Sequence, residues 1–399
     1  MLKVIVVGAG PAGIMAAISA AKNNEVILIE RNKEIGAKLK LTGGGRCNIT
    51  NNRDIEEFFD KIVSNKKFLY SSLYTFSNLQ LLEYFKVNGL EYNEELDQKI
   101  YTKSNRAEEV IELLKVDLER NKVKVMYNSK VQGLIVEEGV IKGVVTDDGR
   151  RILGEKVIVT TGGKSYPDTG SDGSMFEVLK SFHTITPLYA ALIPLVIKEE
   201  FVKSLQGVSM RDVVISAKIN KHSIEKFGDM IFTHFGISGP AVLKLSSYIN
   251  KALVEGEVEV TLDFLRDKSK EEISEIMRSN PNKTVLNNLK GTLPQNFLKE
   301  IFELLGVTEV KISDLKKADE NKIIAYMKEM KLTVRETLSI KAAQVTSGGV
   351  KVKEINASTM ESKLIKNLYF AGEVIDIDAE TGGYNLQMAF STGYLAGSN

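Results

Sequence analysis

Val4-Ile5-Val6-Val7-Gly8-Ala9-Gly10-Pro11-Ala12-Gly13 is the stretch that decides the fold. Four β-branched residues in a row read as a strand buried on both faces. Each following glycine has its own reason. Gly8 permits the tight turn out of the strand, Gly10 leaves no side chain in the way of a pyrophosphate, and Gly13 lets the next helix approach the sheet. Ala12 to Ala21, rich in Ala and Ile, is that helix, and its first turn offers N–H groups and a positive dipole end to an anion. Val26-Ile27-Leu28-Ile29 is a second buried strand, closed by Glu30 at about 20 residues from the turn, where an acid binds ribose hydroxyls. Pro11 within the turn favours FAD over NAD as the dinucleotide.

The far end has the same grammar. Leu368-Tyr369-Phe370-Ala371-Gly372-Glu373 leads to Thr381-Gly382-Gly383-Tyr384-Asn385-Leu386-Gln387, again strand, glycine turn and helix start. Glu373 or Asp376 is placed to accept hydrogen bonds from ribityl hydroxyls. A helix N-terminus beside the flavin N1–C2=O edge would stabilise the negative charge of the reduced ring. Two further glycine sites lie between the ends. Lys38-Leu39-Lys40-Leu41-Thr42-Gly43-Gly44-Gly45-Arg46-Cys47-Asn48 exposes backbone N–H groups to a flat ring or a phosphate, with Arg46 as a positive charge for an anionic ligand. Lys156-Val157-Ile158-Val159-Thr160 is a strand that ends at Thr161-Gly162-Gly163, a second crossing toward the same pyrophosphate.

Cys47 has two readings, a redox-active thiol or a small buried cysteine beside the ligand; with no second cysteine to form a disulfide couple, the second is favoured. His234, in Thr233-His234-Phe235-Gly236-Ile237-Ser238-Gly239-Pro240, is a candidate proton donor or a structural histidine. His183 and His222 sit in polar surroundings and are expected to be exposed. The three histidines lack metal-ligand spacing, so no metal is expected.

The chain has 399 residues, 43% hydrophobic and 26% charged, with a formal net charge of +1. That gives no global attraction to nucleic acid or anionic membrane, so a small-molecule substrate is expected rather than either. One cysteine, no targeting peptide and no bilayer-length apolar run make the cytoplasm the expected compartment. The last residues, Gly397-Ser398-Asn399, read as the interior of a helix.

Residues 54 to 120 look mostly helical, and Val123 to Val145 alternates around a turn at Glu138-Gly139. From about Pro187 the character changes. Val213 to Ile219 and Glu257 to Leu262 alternate as half-buried strands, residues 267 to 330 are charged and helical, and Lys341 to Val352 returns to strand character. The fold class expected is α/β: a Rossmann-like FAD domain with inserted β-barrel-like and helical cap domains. The FAD domain would take 1–188 and 340–399, the barrel 189–266 and 331–339, and the helices 267–330.

These motifs together resemble the BaiN-like flavoproteins. Thr42 to Asn48, Thr161-Gly162-Gly163-Lys164-Ser165-Tyr166-Pro167, Thr233 to Pro240, Thr346-Ser347-Gly348-Gly349-Val350 and Gly372 to Gln387 occur in the family's order over essentially the whole chain. The resemblance implies a two-dinucleotide-binding-type FAD domain with barrel and helical insertions. It also implies an FAD oxidoreductase, either a reductase of the carbon–carbon double bond of 3-oxo bile acids or an aminoacetone oxidase using O2. A flavin-containing binding protein without enzymatic activity is a third reading. NAD(P)H, with no second glycine fingerprint to hold it, would act as a transient reductant. The cofactor set expected is Gly8, Gly10, Pro11, Ala12, Gly13, Glu30, Arg31, Lys38, Gly44, Gly45, Arg46, Cys47, Asn48, Val131, Thr161, Gly162, Gly163, Gly372, Glu373, Asp376, Gly383, Tyr384, Asn385, Leu386 and Gln387. One departure stands out: Thr169-Gly170-Ser171-Asp172-Gly173-Ser174 is shorter than the family's Thr-Gly-Ser-Thr-Gly-Asp-Gly pattern.

Overall fold

A computed structural model describes residues 1–399. The chain forms two compact units, Met1–Tyr189 with Ile340–Asn399, and Ala190–Ser339.

The first unit is built on five parallel strands: β1 (Lys3–Val7), β2 (Glu25–Ile29), β3 (Lys124–Met126), β4 (Lys156–Val159) and β5 (Leu368–Phe370), in the order β5-β4-β1-β2-β3. Val4 to Val7 in the central strand are buried, as an apolar run in a sheet covered on both faces must be. Helix α1 (Pro11–Ala20) follows β1, and helix α2 (Tyr384–Ser398) follows β5. These two helices meet through small residues. A Cβ on Gly393 would stand 2.2 Å from the Ala12 carbonyl oxygen, and one on Gly397 would stand 2.2 Å from that of Ala16. The hydroxyls of Ser19 and Ser398 close the seam at 2.7 Å. Both ends of the chain therefore enter one layer, and only glycine allows the approach.

Because the strands are parallel, their carboxyl ends share one edge. Gly8, Glu30, Thr160 and Ala371 each leave a strand there, which is where ligands bind in open α/β sheets. Outside the main sheet, Val131–Glu137 and Val140–Thr146 pair as the expected hairpin, with Glu138 and Gly139 both at positive φ (48° and 74°). The segment 54–120 is less helical than its periodicity suggests. Tyr92–Glu95 and Lys99–Thr102 form an antiparallel sheet with Asn48–Asn51. The local pattern missed it because its third strand comes from the other side of the helices. Lys341 to Val352 contributes only the short strand Val345–Ser347.

The second unit contains a closed six-stranded barrel of Leu195–Ile197, Gly236–Ser238, His222–Thr233, Ser209–Ile219, Val258–Asp263 and Met330–Thr337 in that spatial order. Helices Lys270–Arg278, Gln295–Leu305 and Lys317–Lys328 share its core. Phe297 of the helices sits 4.9 Å from Phe264 and 6.1 Å from Phe232 of the barrel, ring centre to ring centre. No helix of the chain is long and apolar enough to cross a membrane.

Candidate cofactor site

A cavity of about 220 Å³ opens at the carboxyl edge of the parallel sheet, lined entirely by the first unit. The three glycines of the first turn divide their labour there as their spacing suggests. Gly8 has φ +99°, and a Cβ on it would lie 2.9 Å from the Thr160 carbonyl oxygen. A Cβ on Gly13 would lie 1.8 Å from the Gly8 carbonyl oxygen and 2.4 Å from Thr160 Oγ1, so Gly13 is a packing glycine, outside the cavity lining. Thr160 Oγ1 donates to the carbonyls of Val7 and Gly8, tying the end of β4 to the turn. Gly10 lines the cavity, and a Cβ there would meet nothing within 4 Å. Its open face borders the first turn of α1, whose N–H groups have no partner within the helix.

Glu30 ends β2 beside this turn. Its Oε2 accepts from the Ala9 N–H at 2.7 Å and its Oε1 from the Asn32 N–H at 2.8 Å, which leaves lone pairs on both oxygens. Burial raises its pKa, and the two backbone hydrogen bonds oppose that rise. Arg31 and Lys130 both pair with Asp172, at 2.5 and 3.6 Å.

Glu373 gathers four of the sequence motifs at one carboxylate. Lys38 Nζ donates to its Oε2 at 2.7 Å, and Ser165 Oγ and the Thr346 N–H donate to its Oε1 at 3.1 and 2.7 Å. Lys38 also donates to Ser165 Oγ at 2.7 Å. Lys38 and Glu373 line the cavity, so an ion pair with few oxygen sites to spare stands where a free ribityl acceptor was expected.

Of the expected residues, Gly8, Gly10, Pro11, Ala12, Glu30, Arg31, Lys38, Val131, Thr161, Gly162, Gly163, Gly372, Glu373, Asn385 and Leu386 line the cavity. Asn385 commits its carboxamide to Ala379 and Glu380, fixing the start of α2. Gly383, Tyr384 and Gln387 lie outside the lining and hold that start from behind. A Cβ on Gly383 would strike the Thr50 backbone at 2.4 Å, Tyr384 packs edge-on to Phe58, and Gln387 bonds Thr50, Phe76 and Ser391.

The glycine triplet reaches the cavity through Lys38, Leu39 and Thr42. Gly44, Gly45, Arg46, Cys47 and Asn48 do not line it. Arg46 lies over the Tyr101 ring at 4.2 Å and donates to Glu95 and Asn105, so its charge is already committed. Cys47 is fully buried, and burial pushes its thiol up to about 12, which keeps it protonated at neutral pH. With its carboxamide oriented to satisfy all neighbours, Asn48 accepts from the Gly383 N–H, bracing the helix start. Asp376 is also outside the lining; its backbone carbonyl accepts from Asn65. His234 is an exposed residue of the second unit, edge-on to Phe235. His183, expected to be exposed, is buried. Its Nε2 lies 2.7 Å from Ser362 Oγ, its ring packs on Phe370, and burial lowers its pKa.

Lys130, Phe176, Val345 and Ile377 line the cavity without having been singled out from sequence, and Ser171 and Asp172 line it from the loop that sequence marked but from which neither was named as a site residue. Ser171 and Asp172 lie in a glycine run that marked the loop but not its direction. The others carry no local signal.

The lining suits a long dinucleotide. Thr161 Oγ1 and Ser171 Oγ are buried with no partner in the protein, and as residues of the cavity lining they fit a ligand bearing phosphate or hydroxyl oxygens. Gly10 with its open face, Glu30 and the start of α2 at Asn385 and Leu386 line the same cavity.

Over residues 2–399 the chain matches the family model described as HI0933-like protein Rossmann domain. It is 34% identical to the 3-dehydro-bile acid delta(4,6)-reductase of Clostridium scindens, across 100% of this chain and 98% of that protein. It is 30% identical to the ribosomal RNA dihydrouridine synthase of Haemophilus influenzae, across 98% and 96%. Among solved structures it resembles the 3-ketosteroid-delta4-(5alpha)-dehydrogenase of Rhodococcus jostii at TM-score 0.54 and 12% identity, across 100% and 96% of the two chains. The 3-ketosteroid delta1-dehydrogenase of Sterolibacterium denitrificans gives TM-score 0.54 and 12% identity across 100% and 99%. At that identity the likeness is one of fold.

Proposed function

We infer the activity from the family: the chain belongs to the HI0933-like Rossmann-domain proteins and is an FAD-dependent oxidoreductase. We propose that it reduces a carbon–carbon double bond conjugated to a carbonyl in a small organic substrate, with NAD(P)H as transient reductant. The observation that carries this reading is the 34% identity, from end to end, to a reductase acting on a 3-dehydro-bile acid.

The roles of the chain's own residues follow from their placement. The first turn of α1, with the open face at Gly10, would hold the pyrophosphate, and Thr161 and Ser171 would donate to its oxygens or to a ribose. Glu30 would accept from the ribose of the adenosine half. The first turn of α2, at Asn385 and Leu386, would set a positive dipole end against the other half. The chemistry FAD supplies when bound is two-electron transfer as hydride. Lys38, clamped between Glu373 and Ser165, would keep a fixed ammonium at the cavity wall.

A second reading takes uridine in ribosomal RNA as the acceptor, from the 30% identity to the dihydrouridine synthase. Its chemistry is the same, because the uracil 5,6 double bond is conjugated to the C4 carbonyl. The electrostatics favour the small molecule. In the helical segment Lys270 pairs with Glu329, Lys317 with Glu320 and Lys322 with Asp319, and acids alternate with lysines along it, as on a solvated helix surface.

The test is anaerobic. Purified protein should carry a visible flavin band that NADH or NADPH bleaches and a 3-oxo-Δ4 steroid restores. Restoration by uridine-containing ribosomal RNA and not by the enone selects the second reading. Peroxide release with aminoacetone under air, with no bleaching by either nicotinamide, would overturn both in favour of an oxidase.

A further inference from the structure

The loop Thr169-Gly170-Ser171-Asp172-Gly173-Ser174 lines the cavity and is bound to the residues that follow Glu30. Asn32 Nδ2 donates to the Thr169 carbonyl at 2.9 Å, and Arg31 Nη1 donates to the Gly170 carbonyl at 3.3 Å. The fit is close: a Cβ on Gly170 would lie 2.9 Å from Asn32 Nδ2 and 3.1 Å from Arg31 Cδ. Asp172 is the central fastening. Its Oδ2 pairs with Arg31 at 2.5 Å and with Lys130 at 3.6 Å, and its Oδ1 accepts from the Ser174 N–H at 2.9 Å. Arg31 and Lys130 come from different segments, the ends of β2 and of the residues after β3. One carboxylate therefore ties the loop to two separate parts of the cavity wall.

What the fastening positions is Ser171. Its side chain is buried against the end of β4, where a Cβ on Gly162 would come within 2.9 Å of its Oγ. That oxygen has no partner in the protein, and neither has Thr161 Oγ1 on the same wall. A buried hydroxyl without a partner is unfavourable, so two of them in a cavity wall mark a place for ligand oxygens.

We propose that Thr169–Ser174 is a retaining strap over the adenosine-diphosphate half of the cofactor. In it Ser171 is a ligand-binding residue and Asp172 a positioning residue, latched by Arg31 and Lys130. The inference rests on the FAD reading given above and extends it to exchange of the cofactor. Opening the strap requires breaking two ion pairs that are about two-thirds shielded from solvent, so the latch slows cofactor release. Burial opposes ionisation of Asp172, yet the hydrogen bonds from Arg31 and Ser174 outweigh it and hold the carboxyl well below the usual range. The latch is therefore closed across the neutral range and responds to ionic strength instead of to pH.

FAD release from the holoenzyme, followed by recovery of free-flavin fluorescence after dilution, tests the proposal. Asp172→Asn keeps the shape of the side chain and removes its charge. It should release FAD roughly tenfold faster at a temperature well below the unfolding transition of both apoproteins, where neither is unfolded. Raising salt should speed release from the wild type and have little effect on the variant. Ser171→Ala should weaken FAD binding severalfold without changing the salt dependence. Asp168→Asn, on the exposed side of the preceding turn, should behave as the wild type. Release from Asp172→Asn at the wild-type rate and with the wild-type salt dependence overturns the strap. A wild-type protein that takes up no FAD overturns the functional reading instead.

Discussion

Gly10 and Gly13 stand three residues apart in one turn, and replacing each by alanine should produce opposite phenotypes. In Gly13→Ala the new methyl carbon falls 1.8 Å from the Gly8 carbonyl oxygen and 2.4 Å from Thr160 Oγ1, short of van der Waals contact by more than an ångström with backbone that β1 and β4 fix. Overpacking of this kind costs about 3 kcal/mol, the upper end of its range, because backbone cannot swing aside. Alanine recovers about 1 kcal/mol of helix propensity. The net loss of about 2 kcal/mol corresponds to a fall of roughly 4–8 °C in melting temperature for a domain of this size. Gly10→Ala meets no protein atom, and the native φ of −81° and ψ of −178° suit alanine. The lower conformational entropy of the unfolded chain, which stabilises, and the poorer helix cap, which destabilises, nearly cancel, so apoprotein stability should change by less than about 1 kcal/mol. The methyl group enters the space assigned to the pyrophosphate, and FAD affinity should drop by about a hundredfold, or ~2.7 kcal/mol. Calorimetry of both apoproteins and titration with FAD measure the two effects separately. A Gly10→Ala protein that binds FAD as the wild type does would place the pyrophosphate elsewhere and refute the site as drawn. An undisturbed melting temperature in Gly13→Ala would refute the packing argument.

Three further outcomes follow from burial and charge. The unfolded Cys47 thiol ionises above pH 9, while the folded one keeps its proton to about 12, so the wild type should lose about 1.4 kcal/mol per pH unit in that window relative to Cys47→Ala, as chemical denaturation across pH would reveal. Glu320 is fully buried, and although burial opposes its ionisation, hydrogen bonds from Arg278, Ser274 and Lys317 lower its pKa to about 2. Its stabilisation is present above pH 4.5 and lost as pH falls toward 2; Glu320→Gln should cost about 2 kcal/mol near neutrality and flatten that acid limb, and an unchanged limb would remove the claim. Gly393→Ala puts a methyl 2.2 Å from the Ala12 carbonyl and should lower the melting temperature by several degrees, whereas Gly139→Ala, which meets nothing within 4 Å but has φ +74°, tests backbone strain without crowding and should cost only about 1 kcal/mol.

Much of the site could be read directly from the chain because its parts are local. A strand, a glycine turn and a helix start are consecutive in sequence, and their spacing alone says which glycine is left open to the cavity and which packs a helix. The same reasoning reached too far at Arg46 and Asp376. The residue types were right for charge and hydrogen bonding, but Arg46 is claimed by Glu95, Asn105 and the Tyr101 ring, and Asp376 is outside the lining. Partners distant in sequence made those choices. His183 was misjudged for a related reason: polar neighbours in sequence gave no hint of Phe370 and Ser362 across the fold.

The sequence by itself determined the parallel sheet, the convergence of both termini on it and the dinucleotide turn, because hydrophobic runs and glycine spacing act within a few residues. Only the tertiary structure decided that Glu373 would be a shared carboxylate for Lys38, Ser165 and Thr346, and that Arg31 and Lys130 would meet at Asp172. Those contacts join residues tens to hundreds of positions apart. Their existence depends on which loops the sheet brings to its carboxyl edge, and no local pattern in the chain encodes that distance.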